Sequence, residues 1–125
     1  AAAALASLDV LQSASSKKKR RVLKRNLSEE LASLWSLPNV GDIRQEGLVA
    51  GVELVANWRT RKKFPLKARM GIRVCEAMVK RGVLTRPIGD VVPLLPPYCT
   101  TKTQLRKMVR ALRESIVEVL GGGRI

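Results

Sequence analysis

Arg86 stands directly before the rigid stretch Pro87-Ile88-Gly89. A proline fixes the backbone that follows, and a guanidinium held at such a point can grip a carboxylate through two parallel hydrogen bonds. On spacing alone, an exposed arginine near a turn is the commoner explanation. The chain has no histidine, so no base poised near neutral pH is available to activate a serine or cysteine, and a self-contained Ser/His or Cys/His site is excluded. Asp42, Glu46 and Glu53 are the acids to weigh as a general acid/base pair. Glu53 alternates with Leu54 onto the other face of a strand, which reads as a solvated strand face. Cys75 and Cys99 lack CxxC spacing, so reduced thiols are expected rather than a metal site.

Charge is the other conspicuous feature. The 24 basic and 10 acidic side chains give a formal net charge of +14, which raises nucleic acid or an anionic surface as a partner. Seven of those basic residues fall within the nine positions Lys17 to Arg25, so half of the net charge is local. That run has no interleaved aromatics for stacking and no Asn or Gln to read base edges before Asn26. A nucleic-acid-binding module using Lys17 to Arg25 is therefore the alternative reading, with a solvated helix face as its bland counterpart. No stretch of eighteen apolar residues occurs, so no membrane partner is expected.

The elements that position these residues follow from periodicity. A length of 125 residues supports one modest domain, and with 46% hydrophobic but only 3% aromatic residues its core must be aliphatic. The Ala/Leu-rich residues 1–11 read as the tail of a helix, and the serines at 13, 15 and 16 break it. Leu23, Leu27, Leu31 and Leu34 predict a helix over about 17–35, ended by Pro38 and Gly41, with a cationic first turn that opposes the helix dipole. Residues 40–44 and 48–55 predict two strands joined at 45–47, and 57–65 a basic loop. Ala68, Ile72, Cys75 and Val79 predict a third helix closed by Gly82. Residues 83–86 and 91–95 predict a further strand pair around the turn 87–90. Thr101 and Gln104 predict a capping box for a last helix, whose stripe is Leu105, Met108, Leu112, Ile116 and Val119 and whose end is Gly121 to Gly123. The order predicts an α+β domain, a small antiparallel sheet with helices on one face.

Read together, Gly41-Asp42-Ile43-Arg44-Gln45-Glu46-Gly47-Leu48-Val49-Ala50-Gly51-Val52-Glu53-Leu54-Val55 and Arg81-Gly82-Val83-Leu84-Thr85-Arg86-Pro87-Ile88-Gly89-Asp90-Val91-Val92, followed by Leu95-Pro96-Pro97, resemble the end region of class III pyridoxal-phosphate-dependent aminotransferases. The resemblance runs over nearly the whole chain. The branch it most resembles is that of biotin biosynthesis, which moves an amino group from S-adenosylmethionine to 8-amino-7-oxononanoate. Omega-amino acid transaminases share much of the pattern.

The resemblance implies the C-terminal small domain of a fold type I enzyme, with residues 1–12 the end of the inter-domain helix and 13–125 the small domain. It implies a cytoplasmic homodimer acting on a small keto-amino acid, and it places Arg86 on the substrate carboxylate. The cofactor, pyridoxal 5'-phosphate, would be bound by a large domain absent from this chain, which carries the Schiff-base lysine. The chain is thus expected to be inactive alone, with no catalytic, cofactor-binding or metal residue of its own. Two departures stand out: Pro93, where a strand needs a ladder donor, and the unusually basic run Lys17 to Arg25.

Overall fold

Leu23, Leu27, Leu31 and Leu34 are all buried, and this spacing of three and four residues is what a helix needs to turn one apolar stripe inward. The computed structural model describes residues 1–121. Helix α1 spans Ala2–Gln12 and α2 spans Ala14–Ala32, the latter prolonged by a 3-10 turn over Ser33–Ser36. Strands β1 (Val40–Glu46) and β2 (Val49–Leu54) follow, then a 3-10 turn (Leu66–Ala68), α3 (Met70–Lys80), β3 (Val91–Leu94) and α4 (Lys102–Leu120). Helix α2 begins three residues earlier than the basic run suggests, because the Ser13 hydroxyl accepts the Ser16 N–H at 3.3 Å and caps it.

The sheet has the order β1-β2-β3 and both pairings are antiparallel. Val40, Ala50, Val52, Leu54, Val92 and Leu94 point to one buried face. Helix α4 packs against both α2 and α3, and these helices close that face. Removing a side chain such as Leu27, which is fully buried, would cost about 2 to 5 kcal/mol. The other face carries Asp42, Arg44 and Glu53 toward solvent. Gly41 sits at a register shift between Val40 and Asp42, where a Cβ would overlap the Val55 side chain. The α+β class and the one-sided helical cover are as the sequence predicts.

Three expectations need correction. Residues 83–86 do not form a strand. They run outside β3, held to it by the Thr85 hydroxyl, which donates to the Pro93 carbonyl at 2.6 Å. Pro93 has no N–H to return on that outer side, so no ladder propagates beyond β3. The second correction concerns α3, which starts at Met70 because Arg69 takes a left-handed conformation (φ 50°) and Ala68 falls in the preceding 3-10 turn. Its buried stripe is Gly71, Val74, Cys75, Ala77 and Met78, while Ile72 and Val79 face outward. The third is the hairpin turn, which pivots on Gly47 (φ 59°) and Leu48 after a strand reaching Glu46. The capping box of α4 forms as predicted, with both Thr101 and Gln104 bonds present. The helix stops at Gly121 in the left-handed conformation, while Gly122 and Gly123 lie outside the described residues.

Candidate functional site

Arg86 projects from an extended segment pinned on both sides. Upstream, Thr85 is tied to Pro93. Downstream, Ile88 and Val91 exchange backbone hydrogen bonds at 2.9 and 3.0 Å around Gly89, which adopts φ 60°. The Asp90 carbonyl accepts the Leu54 N–H at 2.8 Å, docking the turn on β2. The Asp90 carboxylate accepts the Gly71 N–H at 3.0 Å, docking it on the first turn of α3. That bond satisfies one of the free donors of a helix start whose own capping position, Arg69, offers no side-chain acceptor.

Gly71 is buried against this turn: a Cβ there would overlap the Gly89 carbonyl oxygen and press on Pro87 at 3.0 Å. Arg86 itself is exposed and, among the described residues, has no hydrogen-bonding or ion-pair partner. A fixed backbone under an unengaged guanidinium is suited to an external carboxylate.

The acids do not form a general acid/base pair. Asp42 and Glu53 flank Arg44 at 3.5 and 3.7 Å on the exposed sheet face, where the guanidinium between them offsets their like charges. Glu46 is exposed at the hairpin turn. The thiols also stay apart. Cys75 is buried in α3, which pushes its pKa up to about 11, and Cys99 is exposed. No group of three or more His, Cys, Asp or Glu that could hold a metal ion occurs among the described residues. None of the described helices is long and apolar enough to cross a membrane.

All ten lysines are solvent-exposed. None sits in an enclosed apolar setting that would direct its amine at a carbonyl, so the described residues do not by themselves fit a pyridoxal-phosphate site.

Two features of the site were not legible from spacing. Gly71 and Asp90, nineteen positions apart, give no local signal of their contact. Arg81, which in sequence looks like an exposed neighbour of Arg86, instead clasps α3 to α4. It meets Glu118 at 2.6 Å and Glu114 at 3.4 Å and donates to the Ala77 carbonyl at 3.1 Å. Glu118 and then Glu114 raise the Arg81 pKa, while Arg110 and then Arg81 lower that of Glu114.

A model of the family described as aminotransferase class-III matches residues 1–116. The chain is 43% identical over 122 residues to an adenosylmethionine-8-amino-7-oxononanoate aminotransferase of Nitratidesulfovibrio vulgaris, covering 98% of this chain and 22% of that protein. It is 40% identical over 121 residues to the protein of the same name from Geobacter sulfurreducens, covering 97% of this chain and 27% of the relative. Among solved structures, the Methanocaldococcus jannaschii protein of that name superimposes with a TM-score of 0.88 at 33% identity, covering 94% of this chain and 27% of that chain. A PMP-bound aminotransferase from Vibrio fluvialis superimposes with a TM-score of 0.88 at 25% identity, over 94% of this chain and 26% of that one. The chain thus spans about a quarter of the length of these relatives.

Proposed function

The chain belongs to the class-III aminotransferase family, and on that premise we propose that it is the C-terminal small domain of a pyridoxal-phosphate-dependent transaminase that aminates 8-amino-7-oxononanoate with S-adenosylmethionine as donor. The observation that carries this reading is the likeness of nearly the whole chain to aminotransferases bearing that one name.

In this reading residues 1–12 are the end of the inter-domain helix and 13–125 the small domain, with the cofactor held by a large domain. When bound, pyridoxal phosphate supplies the electron sink for the amino transfer. The part played by this chain is orientation. Arg86 binds the carboxylate of the keto-amino acid, and the Thr85 and Asp90 anchors keep its backbone fixed, so that geometry rather than chemistry is what the domain contributes. The complete enzyme acts as a cytoplasmic homodimer. The half-exposed apolar residues Leu5, Leu8 and Val10 of α1 support a partnered surface there.

The test joins this chain to the large domain of a relative and measures amino transfer from S-adenosylmethionine to 8-amino-7-oxononanoate. Turnover is expected with the joined protein and not with the chain alone. The chain alone should also form no stoichiometric borohydride-trappable adduct with pyridoxal phosphate. Turnover of other omega-amino acids in place of this pair would move the assignment to the omega-transaminases that share the fold.

A further inference from the structure

The basic run is set in an energetically costly place. Lys17, Lys18, Lys19, Arg20 and Arg21 occupy the first turns of α2, where the helix dipole already presents positive charge. Among the described residues none of the seven cations from Lys17 to Arg25 forms an ion pair. No ion pair among the described residues therefore offsets their mutual repulsion.

Four of them, Lys17, Arg20, Arg21 and Lys24, line one side of a groove of about 690 Å³. The β1–β2 turn, with Glu46, Leu48 and Val49, and the segment Leu95, Pro96 and Tyr98 complete it. The walls are braced. Gln45 Nε2 donates to the Lys24 carbonyl at 3.1 Å and to the Gly47 carbonyl at 3.0 Å, tying the turn to α2. Arg20 donates to the Leu11 carbonyl at 2.7 Å and lies over the Tyr98 ring at 5.3 Å, fixing the third wall. Tyr98 nevertheless remains 58% exposed.

We propose that this groove is a binding site for an organic polyphosphate of nucleotide size, its phosphates held by Lys17, Arg21 and Lys24 and its flat apolar body laid against Tyr98, Leu95 and Pro96. The volume falls in the range of small-molecule sites. The cations already line an open gap, so binding an anion there relieves repulsion without ordering new structure. Among the described residues that line the groove Glu46 is the one acid, and it opposes the ligand. The assignment does not rest on the transaminase reading, since Arg86 takes no part in it.

The experiment is isothermal titration of the 125-residue chain with ADP at about 150 mM salt, where charges farther apart than about 8 Å are screened. Saturable one-to-one binding is expected, weakened about tenfold or more when Lys17, Arg21 and Lys24 are together replaced by Gln, a good helix former that leaves α2 intact. Tyr98→Ala should weaken ADP but not pyrophosphate. Glu46→Gln should tighten both, a gain of function that a misfolded variant cannot mimic, and Lys62→Gln should change neither. The proposal is overturned by absence of saturable ADP binding, by pyrophosphate binding as tightly as ADP, or by a single-stranded oligonucleotide outcompeting ADP with a steep salt dependence. The last result would assign the run to nucleic acid instead.

Discussion

The carboxylate of Asp90 accepts the backbone N–H of Gly71 at 3.0 Å, so the turn that carries Arg86 also caps the helix beneath it. The two residues do one job from opposite sides. Asp90 supplies the acceptor, and Gly71 supplies the absence of a side chain that lets the turn come close. Asp90→Ala should lower stability by about 1 to 2 kcal/mol, read as a drop of several degrees in Tm, with Asp90→Asn retaining part because an amide oxygen still accepts. Gly71→Ala should cost at least as much, since the Gly89 backbone it meets cannot rotate away as a side chain would. Thermal melts that leave both variants at the wild-type Tm would show that this contact does not hold the turn.

That contact marks the boundary of what the sequence discloses. The capping box at Thr101 and Gln104 and the leucine stripe of α2 are local patterns, and both appear as predicted. Helix α3 offers two apolar phases, since Ile72 and Val79 compete with Val74 and Met78, and only the packing against α4 and β3 chooses between them. Residues 83–86 have strand composition. Pro93 has no N–H to offer them, and the bond that joins it to Thr85, eight positions away, comes from a side chain rather than a backbone ladder. Arg81 shows the same limit: its partners Glu114 and Glu118 lie one helix away, so its role is invisible to spacing.

The Arg81 clasp predicts a pH dependence. Glu114 has a folded pKa below its ordinary value, so its contribution is present at neutral pH and is lost as pH falls through the ordinary carboxylate range to that lowered value. Arg81 stays charged throughout, its pKa being raised from an already high value. Arg81→Ala should therefore lower Tm at pH 7 and lower it much less near pH 3. An equal loss at both pH values would assign the effect to packing of the arginine stem instead.

The two thiols should separate cleanly. Cys99 is exposed and should react with a disulfide reagent at neutral pH within the mixing time of a slow titration, while Cys75 should react only on unfolding. The folded Cys75 pKa is raised from its ordinary value of 9.0 to about 11. Between those values the folded state holds a proton that the unfolded state has lost, so stability should decline as pH rises through that window. Cys75→Ala should flatten the decline. Two fast-reacting thiols per native chain would contradict the burial.

Helix α1 exposes Leu5, Leu8 and Val10 and buries no residue of its own. Such a face favours association. Sedimentation should show self-association of the chain, reduced in Leu5→Glu/Leu8→Glu. A monomer at high concentration in both forms would remove the support that α1 gives to a partnered surface.

The substrate role proposed for Arg86 is tested in a joined protein, in which this chain is combined with the cofactor-bearing large domain of a relative. Among the described residues the Arg86 guanidinium has no partner, so Arg86→Ala should leave the fold and Tm nearly unchanged. On the proposed role it removes a charge-assisted, two-pronged contact worth roughly 1.5 to 3 kcal/mol, so the keto acid should bind about ten- to a hundredfold more weakly. The half-reaction with the amino donor should suffer less if that carboxylate has another anchor. Arg86→Lys should recover only part of the loss, because an ammonium cannot reproduce the planar fork. Arg81 is unsuitable as the control, since it braces α3 against α4. Lys80 is exposed and makes no such contact among the described residues, and Lys80→Ala should leave both half-reactions as they were. If Arg86→Ala and Lys80→Ala give the same KM for the keto acid, Arg86 does not hold the carboxylate. The pinned turn would then be an element of the fold alone.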